Sequence, residues 1–146
     1  MHDNKQVQLG SWADLKAVAL PLRLSVFVQE QGVAEELEHD ADDALATHAV
    51  VLAADGTAMA TGRLILLDKT TAKIGRLAVA KAHRMQGLGR RVLRALSDKA
   101  QAAGAQTLYL HAQCDAYAFY HSEGFGVVGE PFMEAGIEHV LMTKRV

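Results

Sequence analysis

Apolar and polar residues alternate in KQVQL, positions 5–9, and this opening predicts a short strand. Ser11 stands where a helix cap belongs, ahead of WADLKAVAL. Pro21 is expected to interrupt that helix or restart it, because its ring removes a donor from the ladder. LRLSVFVQEQ then carries apolar residues on most faces, which predicts a well-buried helix, with Gly32 as its stop. In this second piece Arg23, Phe27 and Glu30 fall at i, i+4 and i+7, a spacing that predicts a single stripe. The acidic run at 35–43 has little periodicity and predicts a solvated loop with one helical turn.

Strand patterns dominate next. Positions 47–54 and 57–67 flank Asp55-Gly56, a tight hairpin signal, and 73–80 reads as a third strand of the meander. From 88 to 103 the spacing of Leu88, Val92, Leu93, Leu96 and Ala100 predicts an amphipathic helix, stopped by Gly104. A strand at 106–112 and a short helix at 115–122 follow. FGVVG and HVLMTKR then predict two closing strands around an irregular loop holding Pro131 and Gly136. The order is β-α-α-β-β-β-α-β-α-β-β. Strands before position 81 are hairpin-linked and hence antiparallel, whereas 73–80, 88–103 and 106–112 form one βαβ unit with parallel strands. The expected fold is α/β (α+β): a single domain over 1–146 with a mixed sheet of about six to seven strands and helices on both faces.

Composition narrows the function. The 146 residues are 50% hydrophobic and 22% charged, a balance that supports a folded core rather than a disordered chain. A net charge of −2 disfavours a dedicated nucleic-acid binder. The single cysteine, Cys114, rules out an internal disulfide and argues against a Cys-based metal site; the seven histidines show no ligand spacing on one element, so no metal is expected. No apolar leader or span stands out, and a cytoplasmic, membrane-independent protein is the expectation.

One stretch departs from this average. Lys81, Arg84, Arg90, Arg91 and Arg94 crowd around RMQGLGR at 84–90, between the predicted strand 73–80 and the helix from 88. The bare amides and dipole of a helix start favour an anion, and closely spaced glycines let a phosphate approach the backbone. The turn lacks the GK[ST] of a Walker loop and the third small residue of a dinucleotide fingerprint. Alone, R-x-x-G-x-G is equally a solvated basic turn.

With LAV at 77–79, RMQGLG at 84–89 and AFYHSEGF at 118–125, the sequence resembles the GNAT superfamily of acyl-CoA-dependent N-acetyltransferases, and the element order matches that fold along the whole chain. SVFVQEQGV at 25–33, IGRLAV at 74–79, HAQ at 111–113 and EAGIEHVLM at 134–142 are similar to the ElaA-like branch. The resemblance implies acetyl-CoA as co-substrate. Its pyrophosphate would lie on the amides of Gln86, Gly87, Leu88, Gly89 and Arg90, in a turn that includes Met85, with Arg84 and Arg90 as charge partners. Its pantetheine arm would pair with the main chain of Leu77, Ala78 and Val79, where the strand is expected to splay from 110–113.

The implied reaction is attack of an amine on the acetyl thioester. By analogy the Val79 N–H meets the developing oxyanion and Tyr120 protonates the leaving sulfur; Tyr120 as a packing residue is the plain alternative. For the base, Glu30 and His111 are candidates, His48 is a further titratable group, and a water chain needs none of them. Arg23, Phe27, Glu30 and His111 are the expected acceptor-side residues. Cys114 is expected to be a packed small residue. A non-catalytic acyl-CoA-binding sensor or partner-docking module stands as the alternative function, and on fold analogy the closing strands offer an edge for a homodimer.

Overall fold

The computed structural model describes residues 6–38 and 40–146. Strand β1 (Gln8–Gly10) is shorter than the alternation predicts, and the expected start at Lys5 lies outside the described residues. Ser11 caps helix α1 (Trp12–Arg23) as expected, its Oγ accepting from the Asp14 N–H at 3.2 Å. Pro21 does not break α1. The helix instead widens just beyond it, into a π-helical segment (Leu24–Glu30) in which the Gln31 N–H reaches back five residues to the Val26 carbonyl.

The acidic run is not a solvated loop. It forms helix α2 (Glu35–Glu38) and a 3-10 turn (Ala41–Leu45), and both Glu38 and Asp43 are buried. Arg23 explains why. Its Nε donates to Glu38 at 2.7 Å and its Nη1 to Asp43 at 2.8 Å. Arg63 donates through one nitrogen to both Asp43 and Asp40, at 2.8 Å each. Buried charges persist only when paired in this way. Burial opposes the charged form of Asp43, yet the hydrogen bonds and charges of Arg23 and Arg63 outweigh it and lower its pKa to about 2.

The rest of the chain supplies β2 (Thr47–Leu52), β3 (Ala58–Leu66), β4 (Thr71–Val79), α3 (Leu88–Ala102), β5 (Thr107–Gln113), α4 (Tyr117–Ser122), β6 (Gly126–Glu134) and β7 (Ile137–Arg145). Among the described residues seven strands form one sheet in the order β1-β2-β3-β4-β5-β7-β6. Only β4 and β5 are parallel, and α3 connects them, as the βαβ pattern predicts. The apolar stripe of α3 packs on the sheet through Val92, Leu93 and Leu96. It lies so close to β3 that a Cβ on Gly62 would come within 2.9 Å of the Val92 side chain.

The predicted loop around Pro131 is absent. β6 and β7 form one hairpin whose turn, Ala135-Gly136, holds both residues at positive φ, +51° and +77°. Pro131 and Gly129 instead sit in a register shift between Val128 and Phe132. β6 is the sheet edge, where a proline interrupts no ladder on its outer side.

The decisive irregularity is in β4. Its pairing with β3 passes from Thr61↔Ala78 to Arg63↔Gly75, so Arg76 and Leu77 together face Gly62. This bulge holds Arg76 at φ +53°, a conformation costing about 1–3 kcal/mol for a non-glycine residue. Arg76 is anchored there: its Nε donates to the Glu38 carbonyl at 2.8 Å. β4 and β5 pair only as far as Lys73↔Tyr109 and then diverge. The expected splay is real, and it opens earlier along the strands than predicted.

A splayed-strand cleft as candidate active site

The divergence of β4 from β5 opens a cleft of about 980 Å³. Gly75 to Val79 form one side. The π-helical segment contributes Phe27 and Glu30, the turn before α3 closes one end, and His111, Gln113 and Tyr120 lie opposite. A cavity of this size is at the upper end of the ~300–1,000 Å³ typical of small-ligand sites, roomy enough for two reactants.

Strand geometry gives the cleft its chemistry. The Ala80 N–H donates to the Met59 carbonyl at 2.8 Å, on the β3 side. Alternation then turns the Val79 N–H and carbonyl away from β3, into the slot that β5 has vacated. The carbonyl already accepts a hydrogen bond there, from Arg84 Nε at 3.0 Å. Leu77, Ala78 and Val79 thus present a strand edge that β5 does not pair, open to an extended ligand.

The edge runs directly into the predicted anion turn. After a short 3-10 turn (Lys81–His83), Met85 and Gly87 take positive φ of +67° and +78°, and α3 begins at Leu88. Such an alternation of backbone handedness is the pattern of a phosphate nest, in which successive amides turn to one side. Gly89 has a separate reason to be bare. A Cβ there would sit 3.4 Å from the Val79 side chain, an ordinary contact, so internal packing does not demand glycine. Gly89 lines the cleft, and the missing side chain leaves its backbone open there.

Both expected charge partners flank the turn, each engaged in an ion pair. Arg84 Nη2 donates to Glu30 at 2.6 Å. Arg90 Nε donates to Glu123 at 3.0 Å, beside Arg94. The hydrogen bond from Arg94, with the charges of both arginines, holds the Glu123 carboxyl below its ordinary range.

Tyr120 reaches the cleft from α4, edge-on to Phe119 at 5.0 Å between ring centres. Burial pushes its phenol above the usual value near ~10, so it is a proton donor at neutral pH. Across the slot, the ring Nδ1 of His111 lies 2.8 Å from Glu134 Oε1. Gln113 donates to Gln31 at 2.7 Å and ties β5 to the end of the π-helical segment.

Three sequence-based expectations need correcting. Arg23 does not join Phe27 and Glu30 on the cleft wall: it is 1% exposed, inside the ion-pair network with Glu38 and Asp43. The stripe assumed 3.6 residues per turn, and the π-helical segment has more, so the residues at i and i+7 part company. His48 is likewise away from the cleft. It is buried beside Trp12 with Nε2 2.9 Å from the Asp43 carbonyl, and burial depresses its pKa. Cys114 is half-buried rather than fully packed away, and burial together with Glu138 and Asp115 raises its thiol pKa, which makes a nucleophilic thiolate scarce.

Gln31, Gln113, Glu134 and His139 are cleft residues that sequence reasoning missed. Alternation within β5 puts Gln113 on the same face as His111 and was a usable signal. Glu134 had none, because its strand read as a loop.

Residues 14–146 match the family model described as an acetyltransferase (GNAT) domain. The uncharacterized N-acetyltransferase YjcF of Bacillus subtilis is 38% identical over 128 residues, 86% of this chain and 89% of that protein. Two solved structures superpose over nearly the whole length. An acyl-CoA N-acyltransferase from Pseudomonas aeruginosa has a TM-score of 0.81 at 30% identity, covering 95% of this chain and 99% of its own. Escherichia coli ElaA has a TM-score of 0.84 at 27% identity, covering 97% and 99%. With the bulged β4, the glycine turn at α3 and the family match in agreement, the chain belongs to the GNAT acetyltransferases.

Proposed function

We propose that this protein transfers the acetyl group of acetyl-CoA to a primary amine of a small molecule or peptide, by direct attack in a ternary complex. The observation that carries the reading is continuity: the β4 edge that β5 leaves unpaired at Val79 leads without a break into the amide-rich turn at Gly87. A thioester ligand needs both, one for its amide-bearing arm and one for its pyrophosphate.

In this reading the amides of Gln86 to Arg90 bind phosphate, with Arg84 and Arg90 adding charge. The main chain of Leu77 to Val79 aligns the arm. The Val79 N–H stabilises negative charge as it develops on the thioester oxygen, and Tyr120 gives a proton to the departing sulfur. Burial keeps the phenol protonated at neutral pH, the form that role requires. Phe27, Glu30 and His111 border the space left for the amine, and Glu30 and His111 are the candidate proton acceptors. Arg23 has no part in it.

The test is release of free CoA from acetyl-CoA against polyamines, amino sugars, aminoglycosides and peptides. Turnover of an amine supports the transferase. Acetyl-CoA binding with no turnover on a broad panel would favour a non-catalytic acyl-CoA sensor, and failure of acetyl-CoA to raise the Tm would overturn both.

A further inference from the structure

We infer that Glu134 is a positioning residue that fixes His111 as the proton acceptor for the incoming amine. The inference rests on the acetyl-transfer reading above and adds the step it leaves open.

His111 is the second residue of β5 beyond the last pair with β4, so it stands in the splayed part of the cleft. Alternation buries its neighbours Leu110 and Ala112 on the α3 side and turns His111 to the opposite face, with its side chain 28% exposed. Glu134 ends β6 and reaches across β7 to it. An ionised carboxylate only accepts hydrogen bonds. The 2.8 Å contact is therefore an Nδ1–H of His111 donating to Glu134 Oε1, and in the neutral ring Nε2 keeps its lone pair. Burial works against the charged carboxyl of Glu134, but the His111 hydrogen bond and the charges of His111, His139 and Lys73 keep it below its ordinary range. Phe132 meets the His111 ring edge-on at 5.1 Å and helps to hold its plane.

Glu30 is paired with Arg84 at 2.6 Å until a phosphate draws that guanidinium away, and among the described residues no hydrogen-bond acceptor orients it as Glu134 orients His111; His48 is buried away from the cleft. Among the described groups facing His111, Glu134 is the acid, with His139 and Lys73 near that same carboxylate.

The step balances as follows. Nε2 of His111 takes one proton from the alkylammonium and leaves a neutral amine. The amine nitrogen forms the new C–N bond while the C–S bond breaks. Tyr120 gives its proton to the sulfur, and the proton shed by the acylated nitrogen replaces it. His111 then returns its proton to solvent, so the sum is an amide, free CoA and one proton.

The test pairs a spectrum with kinetics. Long-range proton–nitrogen NMR of the full-length, histidine-labelled protein reads the tautomer of His111 without any acceptor. We expect the Nδ1–H form in the wild type and a mixture in Glu134→Leu. Acetyl-CoA is then supplied with ethylamine, which is charged at neutral pH, or with hydroxylamine, which is not. Ethylamine-dependent kcat should fall about 100-fold in His111→Asn and roughly tenfold in Glu134→Leu with KM nearly unchanged, while hydroxylamine rates stay within about threefold. An Nε2–H tautomer in the wild type, or equal losses with both amines, overturns the inference. Failure of the acetyl-transfer reading itself shows separately, as absence of acetyl-CoA binding in calorimetry or as binding with no CoA release for any amine of the panel, and the tautomer of His111 is read independently of both.

Discussion

Arg84 donates to Glu30 at 2.6 Å and to the Val79 carbonyl at 3.0 Å, so one side chain joins the glycine turn before α3, the β4 edge and the π-helical segment. Both partners of the ion pair are partly exposed, at 41% and 29%, so the pair itself adds little stability. Its consequence is for binding. A phosphate beside the turn competes with Glu30 for the same guanidinium. Arg84→Gln should therefore raise the Kd for acetyl-CoA about three- to tenfold, the smaller part of a charge-assisted bond, because the wild type must first give up the Glu30 pair. Isothermal calorimetry checks this, and an unchanged Kd would remove Arg84 from the binding site.

Tyr120→Phe separates chemistry from packing. The ring contacts with Phe119 and Phe125 survive the change and the hydroxyl does not. We expect kcat to fall about 100-fold or more with acetyl-CoA affinity kept. Loss of affinity with kcat intact would assign Tyr120 to binding instead.

Gly89→Ala separates folding from binding. The new Cβ makes only an ordinary 3.4 Å contact with Val79, and alanine in the first turn of α3 favours the helix by up to about 1 kcal/mol. Tm should hold or rise slightly while the Kd for acetyl-CoA increases at least about tenfold, since the methyl intrudes where the pyrophosphate backbone contact belongs. A fall in Tm without a change in Kd would contradict the assignment of this turn.

The buried ion network makes an acid-sensitivity prediction. Asp43 titrates at about 2 in the folded chain, below the ~3.9 of an unfolded aspartate. A lowered folded value means that its contribution is complete above the unfolded value and is lost as pH falls from about 4 towards 2. Thermal melts across that window should show a steep loss of Tm. Arg23→Met should cost about 3–5 kcal/mol at pH 7, because it leaves Glu38 and Asp43 buried without their partner. Its Tm should also depend less on pH in the acid window, and an unchanged pH slope would refute the network's role.

Much of this was readable from short stretches of chain. The alternation in β4, the Asp55-Gly56 turn and the spacing of Leu88, Val92 and Leu96 each encode their element within a few residues, because the strand and helix periods are local properties. The glycine-spaced basic turn was legible for the same reason. Errors arose where tertiary context overrode a local signal. Pro131 reads as a loop until β6 is seen to be an edge strand, and the stripe of Arg23, Phe27 and Glu30 holds only for a regular helix.

The sequence by itself determined the fold order, the glycine-spaced turn and the identity of the strand beside it. Tertiary structure decided what the charged residues do. The Arg23–Glu38, His111–Glu134 and Arg76–Glu38 contacts join positions 15, 23 and 38 apart in the chain, at no repeating interval. Such contacts follow from where a bulge turns β4 and where β6 ends, and it is these that bury Glu38 and Asp43 of an apparently solvated acidic run, withdraw Arg23 from the cleft and set a carboxylate behind His111.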